Sequence, residues 1–421
     1  MLHSLVDSIQ RGLLGVDPAT WPYGWLVGLS VMVAAALLAF GFIAIFAGPV
    51  TWWERRLAGR MMSRVGPNRV GPQGVLQWLA DGLKCFLKED LVPAAADRPM
   101  FLLAPYLVFG GFMATFVVLP FGANVVAADL DVGLLYLLAI AGLVVIGILM
   151  AGWASNSKWA LFGGIRSAAQ LVSYEIPSAF ALMTVVLAAG TLSMQGIVRA
   201  QGGWPWEWFL FRNPFLFVAY FVSLTASVAE GNRTPFDLPE GESELVAGFH
   251  VEYSGMRFLW FMFAEWGNLW VISALATVGF LGGWQVPGVS PETMGEATGW
   301  AFVGWQALSF AVFAAKVSLV VAFVIQLRWT VPRLRVDQMM LLCWKYLVPL
   351  SLACVAGALV LLVAVPQGGW LDWTLRGSVA LVFLWLLATY LRSVRAAYVA
   401  DRDLYERMEG KELWYPPYRL P

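Results

Sequence analysis

The sequence predicts an all-α polytopic membrane protein, with about nine transmembrane helices and one amphipathic helix on the cytoplasmic side. Three observations carry this expectation. Hydrophobic residues make up 60% of the 421-residue chain and charged residues 13%, about half the charge of an average soluble domain, and mean hydropathy is +0.71. Apolar runs long enough to cross a bilayer, about 20 residues each, recur along the chain. Lysine and arginine collect in alternate connecting segments, as expected when cytoplasmic loops are basic.

Charge and cysteine usage exclude several function classes. Lys+Arg 27 balances Asp+Glu 27, so nothing points to nucleic acid or an acidic substrate. Cys85, Cys343 and Cys354 stand far apart, without a Cys-x-x-Cys spacing, so no iron–sulfur cluster, zinc site or disulfide framework is expected in this chain. With His3 and His250 as the two histidines, a His-ligated haem pair within the membrane is not expected either.

Residues 1–20 place no apolar run beside a basic start, so no standard cleaved leader is expected. Spans are expected near residues 24–50, 100–121, 133–154, 167–187, 214–228, 258–281, 300–327, 339–365 and 373–391. The run from Pro214 is short and should tilt or borrow from its loops. Arg55, Arg56, Arg60, Arg64 and Arg69 follow the first span, Lys158 and Arg166 the third, Arg328, Arg333 and Arg335 the seventh, and Arg392, Arg395 and Arg402 the ninth. That bias puts the N-terminus outside and the C-terminus in the cytoplasm, with Arg199 and Arg212 as exceptions. Between the first two spans, Val75, Leu76, Leu79, Leu83, Phe86 and Leu87 recur at helical spacing opposite Gln77, Asp81, Lys84 and Lys88. This is the signature of a helix lying in the interface.

Between the fifth and sixth spans lies the most acidic stretch, 229–257. Glu230, Asp237, Glu240, Glu242, Glu244 and Glu252 face only Arg233 and Arg257, while Pro235 and Pro239 forbid one continuous helix. One reading is a solvated loop. The other starts from Phe236, Leu238, Leu245, Val246, Phe249 and Tyr253, interleaved with the acids, which give the segment apolar surface to bury. Carboxylates buried in this way can exchange protons near neutral pH.

Ionisable residues at membrane depth need a partner or a function, because even lenient scales charge about 2.5–3.5 kcal/mol for each. Glu175 lies about 13 Å along its helix from Arg166, and Glu265 about 12 Å from Arg257, at 1.5 Å per residue. Lys316 is near the middle of the seventh span. A static ion pair fixing helix packing is the alternative for each. Gln170 and Tyr174 share a helix face near Glu175, and Pro177 permits a kink, a combination suited to a watered proton route. If Glu175, Glu265 and the loop acids meet, they form a carboxylate chain from the cytoplasmic loop to the membrane centre.

Five blocks in order now carry a specific signal. They are Glu54-Arg-Arg with Arg64-Val-Gly-Pro-Asn-Arg-Val-Gly-Pro72; Ala80-Asp-Gly-Leu-Lys84; Gly163-Gly-Ile-Arg-Ser-Ala-Ala-Gln-Leu-Val-Ser-Tyr-Glu175; the acidic loop; and Arg328-Trp-Thr-Val-Pro-Arg-Leu-Arg-Val-Asp-Gln338. From about Thr51 to Pro349 the chain resembles the H-subunit family of bacterial NADH:quinone oxidoreductase, respiratory complex I, homologous to the mitochondrial membrane subunit one.

The resemblance implies a multi-pass component of the bacterial cell membrane, at the junction of the membrane and peripheral arms. It would help to enclose the chamber where quinone, bound as substrate, is reduced. Iron–sulfur clusters and flavin would belong to peripheral-arm partners, and antiporter-like membrane subunits would be its other neighbours. Glu175, Glu230, Glu240, Glu242, Glu244, Glu252 and Glu265 match the family's proton-relay positions. Glu54, Arg55, Arg64, Arg233, Phe249, Arg328, Arg333 and Arg335 match its quinone chamber, with access between the first span, the amphipathic helix and the sixth span. On this view 1–23 is an outer segment, 24–349 the quinone and relay core, 350–398 the remainder of span eight with a ninth helix, and 399–421 a cytoplasmic tail. Trp78 stands where the family commonly has proline, Gly231 where it has threonine, and the ninth span exceeds the mitochondrial pattern. Alternatives are a related ferredoxin- or deazaflavin-linked quinone reductase or membrane-bound hydrogenase, and, more distantly, a stand-alone transporter. The transporter would call for an inverted repeat, and none is visible.

Overall fold

The computed structural model describes residues 24–239, 241–289, 299–365 and 368–408; among them there are helices and turns but no strand. Glu240, the Glu242 side chain and the terminal segments 1–23 and 409–421 lie outside the described residues. The ten principal helices are α1 Gly24–Met61, α2 Gln77–Leu87, α3 Arg98–Thr115, α4 Gly133–Ala154, α5 Lys158–Ala189, α6 Pro214–Glu230, α7 Gly255–Phe280, α8 Gly299–Thr330, α9 Val336–Ala364 and α10 Trp370–Met408. Six of them (α4, α5 and α7 to α10) are long and apolar enough to cross a bilayer among the described residues, and α6 is a shorter apolar helix. The chain is an all-α polytopic membrane protein.

Where helices outrun the apolar spans, functional residues gain rigid supports. No proline follows Pro49 in α1, so the helix continues beyond the apolar run to Met61 and holds Glu54 on its extension. The fourth helix of the apolar pattern, α5, starts at Lys158, nine residues before its expected start, so Arg166 and Glu175 share one helix. It stops at Gly190, whose φ of 72° fits the left-handed cap that glycine adopts freely. At α6 the Asn213 side chain accepts from the Phe215 and Leu216 amides at 2.7 and 3.1 Å, capping a helix that Pro214 opens.

Helix α5 is the axis of the bundle, packed against α4, α6 and α9. Its contact with α9 runs along Val348–Ala364 and includes a π-helical turn, Leu342–Leu347, where the Cys343 thiol meets the Ser173 carbonyl oxygen at 3.1 Å. Nearby, Tyr174 donates its hydroxyl proton to the Met339 carbonyl at 2.9 Å. The acidic loop folds back over α5 as a single helical turn, Glu242–Leu245, and a second turn, Gly248–His250. Phe236, Leu238, Leu245, Phe249 and Tyr253 are buried, so the loop is packed rather than solvated. Helix α10 stands largely apart, with Leu381 and Trp385 exposed and Phe383 set edge-on against Phe211 and Phe217.

Candidate functional site: two cavities and a chain of ion pairs

One cavity of about 110 Å3 brings Glu175, Glu230 and Glu265 together from α5, α6 and α7. Asn232, Asn268 and Phe249 share its walls with aliphatic side chains from α3 and α4. Glu175 lies close enough to Glu230 for their charges to interact, and the Ser178 side chain stands beside the Glu230 carboxyl. Three carboxylates from separate helices around a small, mostly apolar space are costly to ionise at once.

From this cavity a chain of ion pairs leads outward. Glu265 meets Arg233 at 3.2 Å, Arg233 reaches Glu54 at 3.3 Å, and Glu54 takes Arg328 at 2.5 Å. Glu54 is 3% and Arg233 2% exposed. The Arg233 guanidinium also lies over the Trp266 ring, 4.2 Å from its centroid, a cation–π contact made stronger by desolvation. A planar, two-pronged arginine can serve two acids through separate nitrogens, which a lysine cannot. Beside the chain, Arg333 pairs with Asp237 at 3.1 Å. Burial raises the Asp237 carboxyl above the usual range, against the pull of Arg333 and Arg328.

A second cavity, about 550 Å3, opens between α1, α2 and α7 and is lined by Thr51, Arg55, Trp78, Phe86, Met262 and Trp266 among others. Its floor is the amphipathic helix, whose Leu83, Phe86 and Leu87 are exposed. Arg55 pairs with Asp81 across its rim. Trp78 lies flat on α1 at Gly48, where a Cβ would fall 2.3 Å from the indole, so tryptophan at this position stitches α2 to α1.

The remaining expected residues separate from this arrangement. Glu244 is more than half exposed and pairs with Arg166 at 2.7 Å, away from the carboxylate cavity. Glu252 lines neither cavity. Arg64 and Arg335 are exposed. Phe249 faces the carboxylate cavity instead of the larger one beside α2. Gln170 and Tyr174 line neither cavity: Gln170 donates to the carbonyls of Ala229 and Phe236 at 2.7 and 2.9 Å and so clamps the start of the acidic loop to α5. Lys316, for which a partner or a function was expected, is held by the carbonyl oxygens of Leu281, Gly283 and Gln285 at 2.9 to 3.4 Å and by the Trp208 ring. Its cage is the C-terminal end of α7, where the helix dipole favours a cation.

Sequence reasoning missed Met262, Trp266 and Asn268, since apolar and amide side chains within a span carry no signal of what they face. It also missed that Glu54 and Glu265, 211 positions apart in the numbering, share Arg233. The one available cue was that each needed a cation and that Arg233 stands in an otherwise acidic loop.

His250 gives the loop a pH dependence. Burial lowers its imidazole to about 4, with Glu265 pulling weakly the other way. Between the unfolded value of 6.5 and about 4, the unfolded chain gains a proton that the folded loop refuses, so stability falls on acidification through that window. The loss should reach roughly 3 kcal/mol at its acid end. Thermal inactivation of the assembled protein, compared between about pH 7 and pH 5, should therefore be less pH-sensitive in H250Q than in the wild type. Equal sensitivity in both would remove His250 as the cause.

Comparisons with known proteins show the family. The family model for NADH dehydrogenase matches residues 33–359. The H subunit of the NADH-quinone oxidoreductase of Anaeromyxobacter dehalogenans is 54% identical over 357 residues, covering 82% of this chain and 86% of the relative. The H subunits of Geobacillus kaustophilus and Chlorobaculum tepidum are 48% and 45% identical, covering 77% and 78% of this chain and 90% and 91% of theirs. The matched segment contains every residue that lines the two cavities or joins the charge chain, and the chain belongs to the H-subunit family of NADH-quinone oxidoreductases.

Proposed function

We propose that the protein couples quinone reduction to proton translocation as the membrane component at the junction of the two arms of the complex. The observation that carries this reading is the contact between the two spaces: Trp266 lines the 550 Å3 cavity and carries the Arg233 guanidinium over its ring, and Arg233 pairs with Glu54 and with Glu265, one of the three carboxylates around the inner cavity. Quinone enters the larger cavity from the bilayer along the exposed apolar face of α2. Electrons reach it from iron–sulfur clusters of a peripheral-arm partner, fed in turn by flavin and NADH.

Reduction consumes two protons and changes the charge beside Glu54 and Arg233. At a few ångströms in a poorly solvated setting, such a change is felt by several kcal/mol. Glu265, bound to Arg233, passes it to Glu230 and Glu175, and these exchange protons with antiporter-like neighbours. Glu240, Glu242, Glu244 and Glu252 complete the relay toward the cytoplasm, Arg55 and Arg64 flank the approach, and Arg333 and Arg335 supply positive charge at the chamber. In this arrangement the N-terminus is outside and the C-terminus cytoplasmic.

The test is E175Q in native membrane vesicles, with NADH-driven quinone reduction and proton uptake read on one preparation. Glutamine keeps the shape but holds no exchangeable acid proton. Proton uptake should be lost to a far greater degree than quinone reduction. Wild-type uptake per quinone reduced would remove Glu175 from the relay.

A further inference from the structure

The two cavities share one side chain: Met262 lines both. We propose that Met262 is the partition that keeps water and protons of the carboxylate cavity apart from the quinone cavity, so that the two communicate by charge and not by proton leakage. The proposal rests on the reading of the two cavities given above.

The partition follows from the spacing along α7. Phe258, Met262 and Trp266, four residues apart, form one stripe facing the larger cavity. Phe261, Glu265 and Asn268 form the neighbouring stripe facing the carboxylates. Met262 sits at the border, three residues and hence about 60° around the helix from Glu265. One turn further on, Trp266 faces the quinone cavity while Arg233 lies over its ring. At that level the border is filled by a guanidinium fixed to two acids, and electrostatic coupling crosses there. At the level of Met262 no charged group among the described residues fills the border, and a flexible apolar side chain is what stands between the two spaces.

Polar groups wait on both sides. Glu265 and Asn268 lie on the inner side, and Thr51 and Arg55 on the outer. Shortening Met262 to alanine vacates about two waters' volume, at roughly 30 Å3 each, between groups able to hold them. A water file there would let protons released at Glu265 return through the quinone cavity. Electron transfer would continue while pumping dissipated.

The experiment uses the assembled complex in native vesicles, with quinone reduction and proton uptake measured together in M262A, M262L and E175Q. M262A should at least halve the protons moved per quinone reduced, at whatever rate quinone is reduced. M262L, close to methionine in volume, should keep the wild-type ratio. If M262A fails to assemble, M262V is read on the same ratio. An unchanged ratio in M262A, including one in which rate and uptake fall in proportion, would overturn the partition, as would a loss in M262L as large as in M262A. The E175Q arm separates the two readings. A collapsed ratio there beside an unchanged one in M262A removes the partition alone, and an intact ratio in E175Q removes the carboxylate relay on which the partition rests.

Discussion

Arg233→Leu is expected to remove most of the assembled complex from the membrane. Arg233 is the one cation joined to both Glu54 and Glu265 among the described ion pairs, and it is 2% exposed. Breaking a buried pair from one side costs about 3–5 kcal/mol, because the surviving charge has no solvent to turn to. Glu54 would keep Arg328, so the cost falls mainly on Glu265, whose side chain is 16% exposed. The contact with the Trp266 ring is lost as well. A loss of that size is a large share of the 5–15 kcal/mol, roughly, that holds a folded domain together. Adding E265Q to R233L should restore part of the assembly, since an amide is cheaper to leave unpaired than a carboxylate. R233K should assemble better than R233L but poorly against wild type, because one ammonium cannot span both acids. Complex content on native gels and the temperature of thermal inactivation check all three. Wild-type values in R233L would mean that the charge chain is not the buried, mutually dependent unit described here.

The expectation of membrane helices was legible because it depends on one local quantity, apolar run length. The fourth apolar helix illustrates the limit: α5 extends nine residues before its apolar run, since helix continuation is decided by capping and packing and not by bilayer thickness. Glu175 and Glu265 stood out because a carboxylate in an apolar segment is conspicuous in the sequence, and Glu230 because it opens the acidic loop. Their meeting at one cavity was not legible, because it depends on how α5, α6 and α7 are rotated about their axes. Glu244 shows the reverse case. It lies in the same acidic run as Glu230, yet a single turn of helix carries it to the surface and to Arg166. Lys316 shows a third kind. A sequence presents possible partners as side chains, and its observed partners are backbone carbonyls at a helix end, invisible in any residue pattern.

Gly163→Ala is expected to be the most damaging glycine substitution in the α5 segment that carries Glu175. A Cβ at Gly163 would lie 2.6 Å from both the Gly248 Cα and the Phe249 amide nitrogen, and both obstacles are backbone. No rotamer change can relieve that contact, so the Gly248–His250 turn must lift away from α5. Phe249 would lift with it, and Phe249 is a wall of the carboxylate cavity. Overpacking of this kind typically costs about 1–3 kcal/mol, and here the displacement is directed at the carboxylate cavity. Two neighbours calibrate the effect. At Gly164 a Cβ would come to 3.3 Å from the Gly152 Cα, a contact that needs a shift of only a few tenths of an ångström, so G164A should be milder. At Gly142, inside α4, nothing lies within 4 Å. G142A should therefore be neutral or stabilising by up to about 1 kcal/mol, the difference in helix propensity measured for the two residues in water. The expected order in thermal inactivation is G163A well below G164A, and G164A at or below G142A, with proton uptake per quinone reduced impaired in G163A alone. If G163A matched G142A in both measurements, the acidic loop would not be seated on α5 at this point, and the position of Phe249 against the carboxylates would have to be given up.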